Sequence, residues 1–142
     1  MSKREQVLNA LLARLASLQD VTVLRNETLP QKIPREGLVI LRDGNVGDPE
    51  VLLSPVSFIF HHQAEVEVLM QRTLTADTDA ALDTLLEQIG QILTQDPTLG
   101  GLVDHMHAEP PEFIEQPVDG GITIKGAVVP ITLEYMPNSN LT

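Results

Sequence analysis

From Ala64 to Gln71 the chain alternates. Ala64, Val66, Val68 and Met70 fall on one face of an extended segment, and Glu65, Glu67, Leu69 and Gln71 fall on the other. A strand of this kind is half exposed, so it belongs to a sheet with one face on a core and one face in water. Two helical stripes supply the cover. Ser2 with Glu5 three residues later is a capping box, and Val7, Leu8, Leu11, Leu12, Leu15 and Leu18 then recur at helical spacing, which predicts a helix over about 3–18. Its opposite face carries Arg4, Asn9, Arg14 and Gln19, as on a helix laid against a sheet. Further on, Asp77 and Asp79 offer N-caps to a second helix. Its stripe of Ala81, Leu82, Leu85, Leu86, Ile89, Ile92 and Leu93 ends before Pro97.

The remaining segments read as strands and turns. Val21–Leu24 is a short β-branched run, and Pro30 and Pro34 then hold the chain extended and non-helical up to Gly37. Leu38–Leu41 is a second strand, and Asp43–Asp48 holds enough turn residues to reverse the chain before the apolar runs Val51–Leu53 and Val56–Phe60. After the second helix Gly100-Gly101 marks a turn. Two extended segments follow, Leu102–Ile114 and Ile122–Tyr135, separated by Pro117 and Asp119-Gly120-Gly121, and they close as a hairpin. This order predicts an α+β fold: a single mainly antiparallel β-sheet packed by two amphipathic helices, in the order helix, strands, helix, two strands. Residues 1–137 form the single domain of this reading and 138–142 a flexible C-terminal tail.

A chain of 142 residues fits one such domain, and with only 3% aromatic residues and no Trp its core is aliphatic. Twenty acidic against nine basic side chains give a net charge of −11, which disfavours an electrostatic grip on nucleic acid or anionic lipid. The charge is lopsided: residues 73–142 hold eleven acidic side chains and one basic one, Lys125. Such a surface either keeps the protein soluble, stays free of DNA or meets a basic partner. With no Cys, disulfides, thiolate metal sites and cysteine nucleophiles are excluded. Apolar runs fall short of a membrane span and the amino terminus lacks a signal-peptide pattern, so the chain reads as cytoplasmic with no membrane partner.

Sequence chemistry is sparse. No G-x-S-x-G elbow occurs, and the Gly-dense stretches at Gly44–Gly47 and Gly100-Gly101 lack the Lys-Ser/Thr of a phosphate cradle. Pairs such as Glu65 with Glu67 and Glu109 with Glu112 have the residue types for acid and base work, but such pairs arise freely on solvated faces of so acidic a chain. The one metal-like constellation is His105, His107 and Glu109, which on a strand project from one face at ligand-like spacing. Imidazole and carboxylate suit zinc or iron, which keeps a small metal-dependent enzyme as an alternative; polar strand histidines are the plainer account. A solution-binding module is a third.

Several phrases carry a resemblance over nearly the whole chain. They are the amphipathic helix Glu5–Leu18, the strand phrase Ala64-Glu65-Val66-Glu67-Val68, and the helix Asp77–Leu93 after its threonine- and aspartate-rich lead-in. The closing pair runs from Val103-Asp104-His105-Met106-His107-Ala108-Glu109-Pro110, through a Gly-rich turn, to Gly126–Tyr135. In pattern and order these resemble the tail terminator or tail completion (minor tail) proteins of long-tailed bacteriophages and prophages. The resemblance implies a structural protein, not an enzyme, with no catalytic residues, no cofactor and no metal. It implies a hexameric ring of identical subunits that caps the tail tube, stops its polymerisation and joins it to the head–tail connector protein. Such a protein meets the tail tube protein and lets DNA pass without specific binding; it resides in the virion tail after assembly in the bacterial host cytoplasm. A central hole of this kind suits acidic side chains, because carboxylates leave a sliding strand free where Lys and Arg would hold it. Asp77, Asp79, Asp83 and Glu87 are the first candidates for that interface or lumen.

Overall fold

The computed structural model describes residues 1–30, 32–118 and 121–142. Two helices cover one face of a mostly antiparallel, mixed sheet of seven strands. Helix α1 (Lys3–Leu15) is capped as its sequence dictates, with the Ser2 hydroxyl accepting from the Glu5 N–H at 3.1 Å. It ends three residues before the expected limit, yet Leu18 still reaches the core from the following turn. Strands β1 (Thr22–Arg25), β2 (Leu38–Asn45), β3 (Glu50–Leu52) and β4 (Ser57–Met70) follow. Next come α2 (Thr75–Gln95), β5 (His105–Ala108), β6 (Glu112–Gln116) and β7 (Ile124–Tyr135).

The sheet runs β1-β2-β4-β7-β5, with β3 on the outer end of β4 and β6 beside β7. The alternating segment proves to be the inner part of β4, fourteen residues long and paired along Phe60–Met70 with β7. Its even-numbered residues from Phe60 to Met70 are all buried under the helices, whereas His61, Gln63 and Glu65 look outward. Val39, Leu41, Val129, Ile131 and Leu133 complete that floor, and Leu8, Leu11, Leu15, Leu82, Leu85, Ile89 and Leu93 form the roof. Each such side chain contributes about 1.5–3 kcal/mol by leaving water, so the main stabilising force is this aliphatic layer. Arg14 ties the helices together, donating to the Ile92 carbonyl at 3.3 Å.

Four features depart from the sequence expectation. Strand β1 pairs with β2 in parallel, because the extended Pro-containing connection brings the chain back to run in the same direction. The segment 102–114 is two strands rather than one: Glu109-Pro110-Pro111 interrupts it, since proline has no N–H to donate, and β5 and β6 pair separately with β7. Three strands therefore follow α2. That helix begins at Thr75 with Leu74 as N-cap, and neither Asp77 nor Asp79 caps it. Buried Thr78 is the local organiser, its hydroxyl accepting from the Arg72 N–H at 3.1 Å. Finally, Asp43–Asp48 does not reverse the chain: β2 and β3 follow one another in the same direction along β4, and the reversal comes at residues 53–56. Asp119 and Gly120 of the expected closing turn lie outside the described residues.

The open face of the sheet is divided. Ile33, Leu38, Ile40, Leu69 and Ile124 make a small second cluster, backed by Leu24, Leu29 and Val118. Elsewhere the face is polar, with Arg42 paired to Glu67 at 3.1 Å. At the other end of the chain, the Lys3 N–H donates to the Thr142 carbonyl at 3.1 Å, and the Ser139 hydroxyl bonds to that of Thr142 at 2.6 Å.

Candidate interaction surface

A bulge in β2 organises a polar cluster that reaches into the core. The register with β4 shifts between Arg42 and Asn45, and Gly44 there has φ +69° with its Cα so close to β4 that a Cβ would lie 1.9 Å from the Gln63 carbonyl oxygen. The bulge turns the Asp43 carbonyl onto the Nε2–H of His62, whose Nδ1 accepts from the Tyr135 hydroxyl at 2.8 Å. His62 and Tyr135 are 1% and 0% exposed. Burial pushes the imidazole below its ordinary 6.5 and the phenol up to about 12. Both ring nitrogens of a neutral imidazole are satisfied and both side chains are buried, so this dyad locks the core.

Arg25 joins that cluster to α1. Its guanidinium holds Asp43 through two bonds of 2.9 and 3.0 Å and also grips Glu5, and Arg25 keeps the Asp43 carboxyl below the usual carboxylate range. The contact is structural on the same reasoning, because every partner is spent within the fold. Asp96 plays a similar part after α2. It accepts from the Thr98 hydroxyl and from the N–H groups of Gly100 and Thr98, which hold its carboxyl down to about 2.

His105 and His107 do share the outward face of β5, with ring centroids 5.4 Å apart. Glu109, just past the strand, lies with its carboxylate 2.8 Å from His107 Nε2. The carboxylate therefore partners one imidazole directly. Among the described residues, no three His, Asp or Glu side chains come together as a metal centre. His61 stands apart on β4, between Glu50 at 3.4 Å and Glu134 at 3.8 Å.

The four acidic candidates divide over two flanks of α2. Asp79 and Asp83 border a groove of about 360 Å³ shared with Phe113, Ile114 and Lys125. Glu87 continues their exposed line one helical turn later. Asp77 lies on the other flank, in a cleft with Arg35 and Arg72. Lys125, the lone cation of the second half, meets Asp79 at 2.7 Å and Glu115 at 3.6 Å, and Asp79 raises its pKa.

Two surfaces stand out because they are apolar and uncovered. The first is the β3–β4 hairpin, which projects beyond the last β4–β7 pair, Phe60 with Tyr135. Val51, Leu52, Leu53 and Val56 on it are 51%, 42%, 76% and 63% exposed. The second is the β5–β6 edge with the groove between it and α2, where Phe113 is 67% exposed. No protein-family model matches the chain, and neither does any curated protein. The sequence signal for both surfaces was present as apolar runs, but the hairpin is bare because it runs past the end of β7, and the second surface because β5 and β6 form the outer edge of the sheet. Among the described residues no helix is long and apolar enough to cross a membrane.

Proposed function

We propose that this chain is a structural assembly subunit, a tail terminator that oligomerises as a ring, caps the tail tube of a long-tailed phage and joins it to the head connector. The single observation that carries the reading is the bare hairpin, four large aliphatic side chains that nothing among the described residues covers. A patch of this kind on a small domain marks a protein contact. The clefts on the two flanks of α2 support the same reading, since exposed carboxylates border them and the buried His62–Tyr135 pair is not among their lining residues. In this reading the partners are further copies of the chain, the tail tube protein and the connector, and DNA crosses the ring without being gripped. The subunit belongs to the virion tail and is assembled in the host cytoplasm.

The test is to delete the gene from the phage or prophage that encodes it and to image the lysate by electron microscopy. Overlong tails without heads are expected, with normal particles restored by the wild-type gene in trans. Tails of normal length joined to heads would refute the proposal.

A further inference from the structure

We infer that copies of this chain join head to tail by strand addition: the outer edge of β3 in one copy pairs with the outer edge of β5 in the next, and the hairpin side chains enter the groove between β5 and α2. The inference deepens the assembly reading above and rests on it for its biological meaning, but its geometry stands on the chain alone.

The hairpin is apolar on both faces. Val51 lies opposite Phe58 on the helix side and Leu52 opposite Ser57 on the open side, with Leu53 and Val56 at the tip. Together the four expose on the order of 400 Å² of apolar surface, comparable to the largest patch of a typical monomer. A two-stranded ribbon that lacks a third layer is marginal in water, so this one gains most from a partner that encloses both its faces. Among the described residues β3 pairs only with β4, and β5 only with β7, so each offers a row of unpaired backbone groups.

The two edges face opposite ways. Strands β2 and β3 succeed one another along β4 in the same direction, and His61 standing between Glu50 and Glu134 puts β3 on the side of β4 away from β7. Strand β5 lies beyond β7 on the other side. If the sheet continues from copy to copy with the helices on one side, β3 meets β5 antiparallel. Val51 then falls on the helix side, where Gly90, Leu93, Pro97, Met106 and Ala108 line a groove of about 320 Å³. On the open side Glu50 faces the row of His105 and His107; His107 keeps its bond to Glu109, and the ring N–H of His105 is the donor that suits a carboxylate across the joint. Backbone pairing, apolar fit and charge thus agree on one orientation. Because the contact is heterologous, it propagates into a closed ring or a chain rather than stopping at a two-fold dimer.

The chain has no cysteine, so introduced thiols report this contact alone. Purified Leu52→Cys is mixed with either His105→Cys or His107→Cys and oxidised. The expected result is a disulfide-linked dimer in at least one mixture, and a ladder of higher species when both thiols are on one chain. Linking of Leu52→Cys to itself with equal ease would mean a two-fold hairpin contact and would overturn the proposal. So would a mixture that links no better than Leu52→Cys with Ser139→Cys. Adding Leu53→Asp, in a chain whose circular dichroism is unchanged, should cut the linked fraction at least tenfold; an unchanged yield also overturns it. Linking without a tail defect on gene deletion would sink the phage function and leave the interface standing, and a tail defect without linking would do the reverse.

Discussion

Lowering the pH from 7 to 5.5 should destabilise the fold through His62. In the folded chain the imidazole is 1% exposed, with Nε2–H committed to the Asp43 carbonyl and Nδ1 to the Tyr135 hydroxyl. A second ring proton would have to displace the tyrosine hydrogen bond in a medium that disfavours charge, so burial above all depresses the folded-state pKa. The Asp43 carbonyl and carboxylate oppose that depression, and Arg4 adds to it. The unfolded chain protonates at about 6.5, so it binds more protons than the native state below that pH and the equilibrium moves toward it. Stability is therefore unaffected above about pH 7 and falls as pH drops below 6.5, by up to about 1 kcal/mol at pH 5.5 for one such group. Urea titrations followed by far-UV circular dichroism at pH 7, 6.5, 6 and 5.5 would measure this, with His62→Gln alongside. The variant starts less stable but lacks the titrating group, so the two midpoint curves should converge as the pH falls. Parallel curves would show that His62 is not held neutral, and the account of the dyad would be wrong.

Other outcomes follow from the same geometry. Gly44→Ala should cost about 3 kcal/mol or more, through its φ of +69° and the clash with the Gln63 carbonyl, whereas Gly90→Ala in α2, where a Cβ meets open space, should gain about 0.5–1 kcal/mol; denaturant midpoints report both. Arg25→Met releases Glu5 and Asp43 at a partly exposed site, so a loss of roughly 1 kcal/mol that shrinks with added salt is expected in the same assay. Zinc or iron should leave the melting temperature unchanged; a rise, or near-stoichiometric metal retained through purification, would favour the metal-dependent alternative on His105, His107 and Glu109. Replacing Asp77, Asp79, Asp83 and Glu87 by Lys in an active phage separates two roles: normal tails with slowed DNA ejection indicate a lumen, failed assembly indicates an interface, and no effect on either refutes both.

The layers of the fold were legible because they are written in local periodicity. The even-numbered residues of β4 and the stripes of both helices state which face is buried, and Ser2 with Glu5 fixes where α1 begins. What periodicity cannot state is which strands become neighbours. The parallel pairing of β1 with β2 depends on how the proline-rich connection closes, and the division of β5 from β6 required Pro110-Pro111 to be weighed against the apolar content on either side. His62 shares the parity of Phe60 and Ala64, so its burial was readable; its two partners, Tyr135 and the Asp43 carbonyl, come from a strand far away in sequence and a bulge that only the register reveals. The bare hairpin was hidden for a similar reason. Val51–Leu53 and Val56–Phe60 look like core strands until β7 is seen to stop at Tyr135.

The long free edge formed by β5 and β6 also bears on how the protein stays in solution. Strand β6 carries Glu112 and Glu115 along a fully exposed stretch, and their charges repel any second strand that approaches the same edge. Strand β5 instead carries His105 and His107 side by side on its outward face, whereas Glu112 and Glu115 fall on opposite faces of β6. The edge is thus guarded by carboxylates along its β6 half. Phe113 and Ile114, flanked by those two glutamates, are the segment that would seed fibres if the guard were lost. A chain with both glutamates neutralised should therefore aggregate at concentrations where the native protein stays clear, even though its core is untouched.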